Sequence, residues 1–474
     1  LRTRSCFRSS SRPRQHRARF VDFPSACARP PADSSTQGLL GGLLHTVTGL
    51  AKILTKDLNS GFSWRDRTEA AFQVPIAVDA KTLKRNGPRD FVLSVANAEG
   101  RNGGRKYHLD VALNTFVTKI NFNTNGTTPR ATGVNFLNGQ SLYAADPRYS
   151  ASKGTKGSVN VKKEVIISAG TFETPKLLKL SGVGPKKELS RFNIPLVKDL
   201  PGVGTNLQDR YEVGIIGQAP TDFFLTKDCT FGYTSPDPCL EAWQNGLTAI
   251  DKGVYASNGI AIAVTKKSST AGTAGDVSSD PDLFISGAPA DFKGYFPGYA
   301  RDALKDARHW VWIILKARAR NNAGSVLLKS TNPQEMPQIT MRSFDEGTTD
   351  EGADDKDLQA LYEAVQFSRK AFKDLIPLDG KFTETWPGTN VSAEEDVKQF
   401  IKDEAWGHHA SCTCPIGSDD DPMAVLDSEF RVRGVEGLRV VDASVFPKIP
   451  GYYIAVPIYM ISEKAADVII NGSS

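Results

Sequence analysis

No stretch of this chain approaches the roughly 20 consecutive apolar residues that cross a bilayer, so a membrane-spanning helix is not expected. The best candidate, residues 38–54, is interrupted by His45 and Lys52 and reads as a buried or lid helix. Methionine is scarce, with 4 in all and the first at Met336. With Leu1 at the front, the sequence reads as lacking its native start. Cysteine is scarce too. The 6 cysteines, at positions 6, 27, 229, 239, 412 and 414, complete no Cys/His set with zinc-site spacing, so no metal is expected. Cys412 and Cys414 are too close in sequence for an ordinary disulfide. Cys229 and Cys239 flank a Gly/Pro/Ser-rich loop and read either as a disulfide of an oxidising compartment or as two buried thiols.

Acid is absent from residues 1–20, which hold seven Arg; without these the net charge of +5 becomes −2. The body of the chain is therefore near neutral and lacks the clustered basic surface of a nucleic-acid binder, so no nucleic acid is expected as a partner. An Arg- and Ser-rich, acid-free start has the composition of a mitochondrial transit peptide or of an unstructured leader, and the missing start residue favours the leader. Sequons at Asn125, Asn390 and Asn471, with the Cys229–Cys239 pairing, lean towards secretion while leaving the compartment open.

What is present is the texture of two folded layers. Residues 1–36 show no periodicity and are expected to be disordered. Phe116, Thr118, Ile120 and Phe122 alternate with Val117, Lys119 and Asn121, the period of a strand. Asn125-Gly126 supplies a turn, and residues 131–136 return as a second strand. Residues 164–169 form a short apolar run ending at Gly170, expected as a buried strand. Thr174-Pro175 is expected to open a helix that stops at Gly182. Strand, glycine and helix in that order make the unit of doubly wound sheets. From about 210 to 400 the pattern changes. Strands at 309–320 and 325–329 are expected to pair across Asn321-Asn322-Ala323-Gly324. Leu358, Leu361, Val365 and Phe372 recur at helical spacing. This is the pattern of an antiparallel sheet with helices on one face. Residues 438–441 read as a strand, and Pro457 as the start of a final helix reaching Ile470.

Three blocks resemble the glucose–methanol–choline (GMC) oxidoreductases, flavoproteins that oxidise alcohols. The first is residues 170–184, GTFETPKLLKLSGVG, followed by LPGVGTNLQD at 200–209. The second is HASCTCPIG at 409–417 with DPMAVLD at 421–427, and the third is RVRGVEGLRVVDASVFP at 431–447. The resemblance covers roughly residues 55–474. It implies an α/β FAD-binding domain of the doubly wound type, incomplete here, and an α+β substrate domain with an antiparallel sheet. Residues 37–209 would be the first part of the FAD-binding domain with a lid segment, 210–400 the substrate domain, and 401–474 the rest of the FAD-binding domain.

The resemblance places the catalytic base at His409, a residue whose unperturbed pKa of about 6.5 suits proton acceptance near neutrality. His408, one residue out of register, reads as structural. The second catalytic position falls on Tyr453, where the family has His or Asn. A phenol is a poor base at neutral pH but donates a hydrogen bond, so Tyr453 is expected to orient substrate at best, or to pack beside Tyr452 as an aromatic filler. Arg210 and Cys412 also depart from the residues common in the family. Cofactor contacts are implied for Val117, Asp442, Ala443 and Ile454. A small-molecule alcohol or sugar is the implied substrate, with O2 or a quinone as electron acceptor. A complete G-x-G-x-x-G, the loop that binds FAD phosphates, occurs nowhere in the sequence. The alternatives are a non-catalytic fragment or pseudoenzyme, or a lyase-type relative.

Overall fold

The computed structural model describes residues 58–59, 67–248, 250–272, 280–346, 352–374 and 380–472. The expected leader and the 38–54 helix lie outside these residues. The chain divides into two compact units, one of Leu1–Ser60, Gln73–Val111 and Asp222–Ile260, the other of Gly61–Phe72, Ala112–Thr221 and Ala261–Ser474.

In the smaller unit, helix Pro88–Ala96 begins where Asp90 accepts the Gly87 N–H at 2.9 Å. Helix Pro238–Asn245 is capped by Asp237, which accepts the N–H groups of Cys239 and Leu240 and the Tyr255 hydroxyl. Of the two readings of Cys229 and Cys239, the disulfide is the one formed.

The larger unit contains strands β1 (Ala70–Phe72), β2 (Thr115–Asn123), β3 (Arg130–Asn138), β4 (Thr155–Asn160), β5 (Val165–Ile167), β6 (Val183–Gly184), β7 (Lys198–Asp199) and β8 (Tyr211–Gln218). They continue with β9 (Ile262–Lys266), β10 (Leu283–Ala288), β11 (His309–Lys316), β12 (Ser325–Leu327), β13 (Gln338–Thr340), β14 (Thr383–Trp386) and β15 (Leu438–Val440). Its main helices are α1 (Gly170–Leu180), α2 (Ala353–Asp374), α3 (Glu394–Glu404) and α4 (Ala455–Asn471).

Six strands form one antiparallel sheet in the order β1-β9-β10-β11-β8-β14. Helix α2 covers it, burying Leu358, Leu361, Val365 and Phe372 against Val213, Ile215, Ile285 and Ile314. Burial of each such side chain contributes about 1.5–3 kcal/mol. Lys316 is fully buried at the end of β11, 3.3 Å from Asp282 and 3.6 Å from Asp357. Asp357 on α2 also pairs with Arg320 at 2.5 Å, so this network ties helix to sheet.

The expected hairpin between 309–320 and 325–329 does not form. β11 belongs to the large sheet, whereas β12 pairs with β13. Past Lys316 the backbone is pulled off the sheet: Arg318 takes a positive φ of 52°, and Asp357 accepts the Arg320 N–H at 2.7 Å.

The remainder of the unit is the α/β layer. β2, β3 and β4 make an antiparallel sheet with the expected turn after Asn123. β5 pairs in parallel with β15, Val165 opposite Leu438, and α1 follows β5 directly. Of the β5 residues only Ile167 is buried, and Ile166 is 45% exposed, against the expectation of a buried strand. α1 also starts earlier than expected, at Gly170, so Thr174 and Pro175 lie inside it. Proline there removes the N–H that would bond the Thr171 carbonyl; the Thr413 hydroxyl donates to that carbonyl instead, at 2.7 Å. The Thr174 hydroxyl donates not to its own helix but to Asp442, at 2.6 Å.

Candidate active site

Two short antiparallel bridges hold the segment that carries the histidines. Glu212 exchanges backbone hydrogen bonds with Trp406, at 2.8 and 2.9 Å, and Gln208 exchanges them with Ser411, at 3.1 and 2.9 Å. Residues 407–410 are therefore pinned against 209–211 from both ends. Asp209 completes the clamp by accepting the His409 N–H at 2.9 Å.

His409 is 5% exposed. Its Nδ1 lies 3.1 Å from Oε1 of Glu212, and the Nδ1 of His408 lies 3.0 Å from the same oxygen. Burial pushes the His409 imidazole below its ordinary pKa, and the Glu212 carboxylate opposes that shift without cancelling it. Burial pushes the Glu212 carboxyl up, but its contacts with the two imidazoles outweigh this and hold it below the usual value. The ring of Tyr453 meets His409 edge-on at 5.2 Å between centroids. Tyr453 is 38% exposed, yet its hydroxyl is turned towards Ser286 on β10; desolvation there, and then the nearby charge of Glu212, raise its pKa. The phenol therefore stays protonated at neutral pH and is no base there. Tyr452 donates to the Pro281 carbonyl at 2.7 Å and packs on Phe284, the filler role.

Arg210 is 1% exposed, and its Nη2 donates to the Pro450 carbonyl while Nε and Nη1 have no hydrogen-bond partner among the described residues. Burial lowers its pKa to about 10, so it stays a cation at neutral pH. Asn206 and Gln208 fix the same loop through the Pro447 carbonyl and the Ile449 N–H. The sequence departures at Arg210 and Cys412 are thus both buried structural neighbours of the histidine segment.

The other predicted site residues lie in three places. Ala443 and Ile454 meet in one small apolar cluster with Cys412, Phe446 and Ile449. The Asp442 carboxylate accepts from the Gly170 N–H at 2.9 Å, the Thr174 hydroxyl, and the Ser444 N–H at 2.8 Å. Val117, 37% exposed, stands apart on β2. Glu212 escaped the sequence reading, although a lone carboxylate in the apolar run YEVGIIG was a signal for it. Among the described residues, Glu212, His408 and His409 are also the one group whose donor atoms lie close enough to hold a metal, all within 4.8 Å of one another.

GMC oxidoreductase family models match residues 101–212 and 320–462, together more than half of the chain. Human mitochondrial choline dehydrogenase is 31% identical over 433 residues, covering 88% of this chain and 60% of that protein. The oxygen-dependent choline dehydrogenase of Vibrio vulnificus is 32% identical over 316 residues, covering 65% of this chain and 51% of that protein. The chain thus spans only about half to three fifths of the length of these relatives. Among solved structures, a fungal aryl-alcohol oxidase aligns with a TM-score of 0.61 at 22% identity, covering 90% of this chain and 70% of that one. A formate oxidase aligns with the same TM-score at 23% identity, covering 75% and 60%. These structural likenesses establish the shared fold.

Proposed function

The chain belongs to the GMC oxidoreductase family, and from that premise we propose that it serves an FAD-dependent oxidation of the CH–OH group of a small alcohol or sugar. The observation that carries this reading is His409, a buried imidazole kept neutral and backed by a buried carboxylate.

The residues present fit the ring side of a flavin. Tyr453 and Ile454 lead into α4 beside His409, and the first turn of α4 has no side-chain cap and exposed residues at Ala455 and Val456. A helix N-terminus and the Arg210 N–H groups, which have no hydrogen-bond partner among the described residues, both favour negative charge nearby. The N-terminus of α1 is already taken, because Asp442 accepts the Gly170 N–H. Val117, Ala443 and Ile454 would then hold the cofactor by apolar and backbone contact.

A bound flavin would supply the two-electron acceptor for the hydride of the carbinol carbon. His409 takes the hydroxyl proton at Nε2, so that the O–H and C–H bonds break as the carbonyl forms. Tyr453 offers a hydrogen bond to the oxygen. The apolar cluster at Cys412, Ala443 and Ile454 keeps water from that side. O2 or a quinone would be the electron acceptor.

Chain reconstituted with FAD and mixed anaerobically with a panel including choline, an aryl alcohol and sugars tests the reading. Bleaching of the flavin band by at least one alcohol supports it. A flavin that stays oxidised with every member of the panel contradicts it.

A further inference from the structure

Glu212 is a charged residue where the fold has no use for one. β8 is the strand next to the edge, and Tyr211 to Gly217 are all buried. Opposite Glu212 on β11 stands Leu315, itself fully buried. Placing a carboxylate in such a strand costs free energy unless a partner compensates. The partners here are imidazoles, and the backbone bridge from Glu212 to Trp406 brings them there.

We propose that Glu212 is the positioning residue of the site: its carboxylate takes the Nδ1–H of His409, fixes that tautomer, and leaves Nε2 bare to receive the substrate proton. The inference rests on the reading of His409 as the base. The 3.1 Å separation is within hydrogen-bond reach, but the N–H direction is off line, so Nδ1 and Oε1 both lack an aligned partner among the described residues. A small rotation of the ring closes the bond, and catalytic hydrogen bonds commonly tighten only when substrate is in place. His408 approaches the same oxygen from a position 36% exposed. The other charged and titratable groups near His409 include Asp209, on its backbone N–H, Arg210, whose charge disfavours the imidazolium, Tyr453 at its ring edge, and Tyr295, packed on His408. Of these groups, Glu212 is the one carboxylate placed against Nδ1.

Imidazole 15N spectra of the flavin-free chain read the tautomer directly, without turnover. The wild type is expected to show His409 protonated at Nδ1 and bare at Nε2. Glu212→Gln, nearly isosteric and relieved of its charge, is expected to lower the His409 pKa further and to mix the tautomers. Glu212→Asp is expected to restore the wild-type tautomer at least in part, which separates positioning from a folding defect. With FAD and a substrate alcohol, Glu212→Gln is expected to lose roughly 10- to 100-fold in kcat, at or below the lower end of the loss for a missing general base because the imidazole itself remains, with KM little changed. An unchanged tautomer and titration in Glu212→Gln overturns the proposal. So does stoichiometric Zn2+ binding lost in His408→Gln, which would make the three side chains a metal site. If no alcohol reduces the flavin while the tautomer follows Glu212, the catalytic reading falls and the positioning contact stands.

Discussion

The Asp442 carboxylate accepts the Thr174 hydroxyl at 2.6 Å across 268 residues of sequence. The same side chain accepts the first N–H of α1, so one carboxylate locks the helix of the 170–184 block to the strand end of the 431–447 block. Thr174→Val removes one donor and leaves the carboxylate its two N–H partners. A hydrogen bond to a charged group contributes about 1.5–3 kcal/mol. The urea midpoint is expected to fall by a corresponding amount; an unchanged midpoint sinks the assignment.

Lys179 is the second lock. Its ammonium, 1% exposed, lies 2.7 Å from Glu188 and donates to the Val326 carbonyl at 2.7 Å. Removing one member of such a pair strands the other charge, at about 3–5 kcal/mol. Lys179→Met is expected to cost that much in urea unfolding, and adding Glu188→Gln to recover a good part of it. A single variant as stable as wild type would contradict this.

The pH dependence follows from His409. Burial holds its folded pKa below the ordinary value, so the imidazole is neutral and competent as a base above that folded pKa and is lost as a base below it. kcat/KM for alcohol is expected to fall as pH drops through a value below about 6.5. An acid limb centred above neutrality would mean that another group takes the proton.

Cys412 and Cys414 are expected to be inert. Burial pushes the Cys412 thiol up to about 12 and the Cys414 thiol higher still. Only thiolate reacts readily, so peptide-level alkylation at neutral pH is expected to miss both in native protein and to reach both in denaturant. Fast native labelling of either would refute their burial.

Period and punctuation made much of this legible. The alternation at 116–122, the helical spacing of Leu358 to Phe372, and the Gly170 and Gly182 boundaries all report local geometry, and each appears in the fold. Sequence reasoning failed where tertiary bonds overrode local signals. Thr174-Pro175 has the form of a helix start, but Asp442 and Thr413 satisfy those groups from elsewhere in the chain. The turn-like Asn321 to Gly324 separates two sheets because Asp357 claims the backbone ahead of it. The His409 and Tyr453 pairing was carried by the resemblance, whereas Glu212 required seeing β8 beside the histidine segment.

His409→Ala tests the central claim most directly, in the FAD-reconstituted chain under anaerobic stopped flow with saturating alcohol. Flavin is expected still to bind, and its reduction to slow by about 10²- to 10⁴-fold, the range of a lost general base. Reduction at the wild-type rate would contradict the assignment of His409 as the residue that takes the proton.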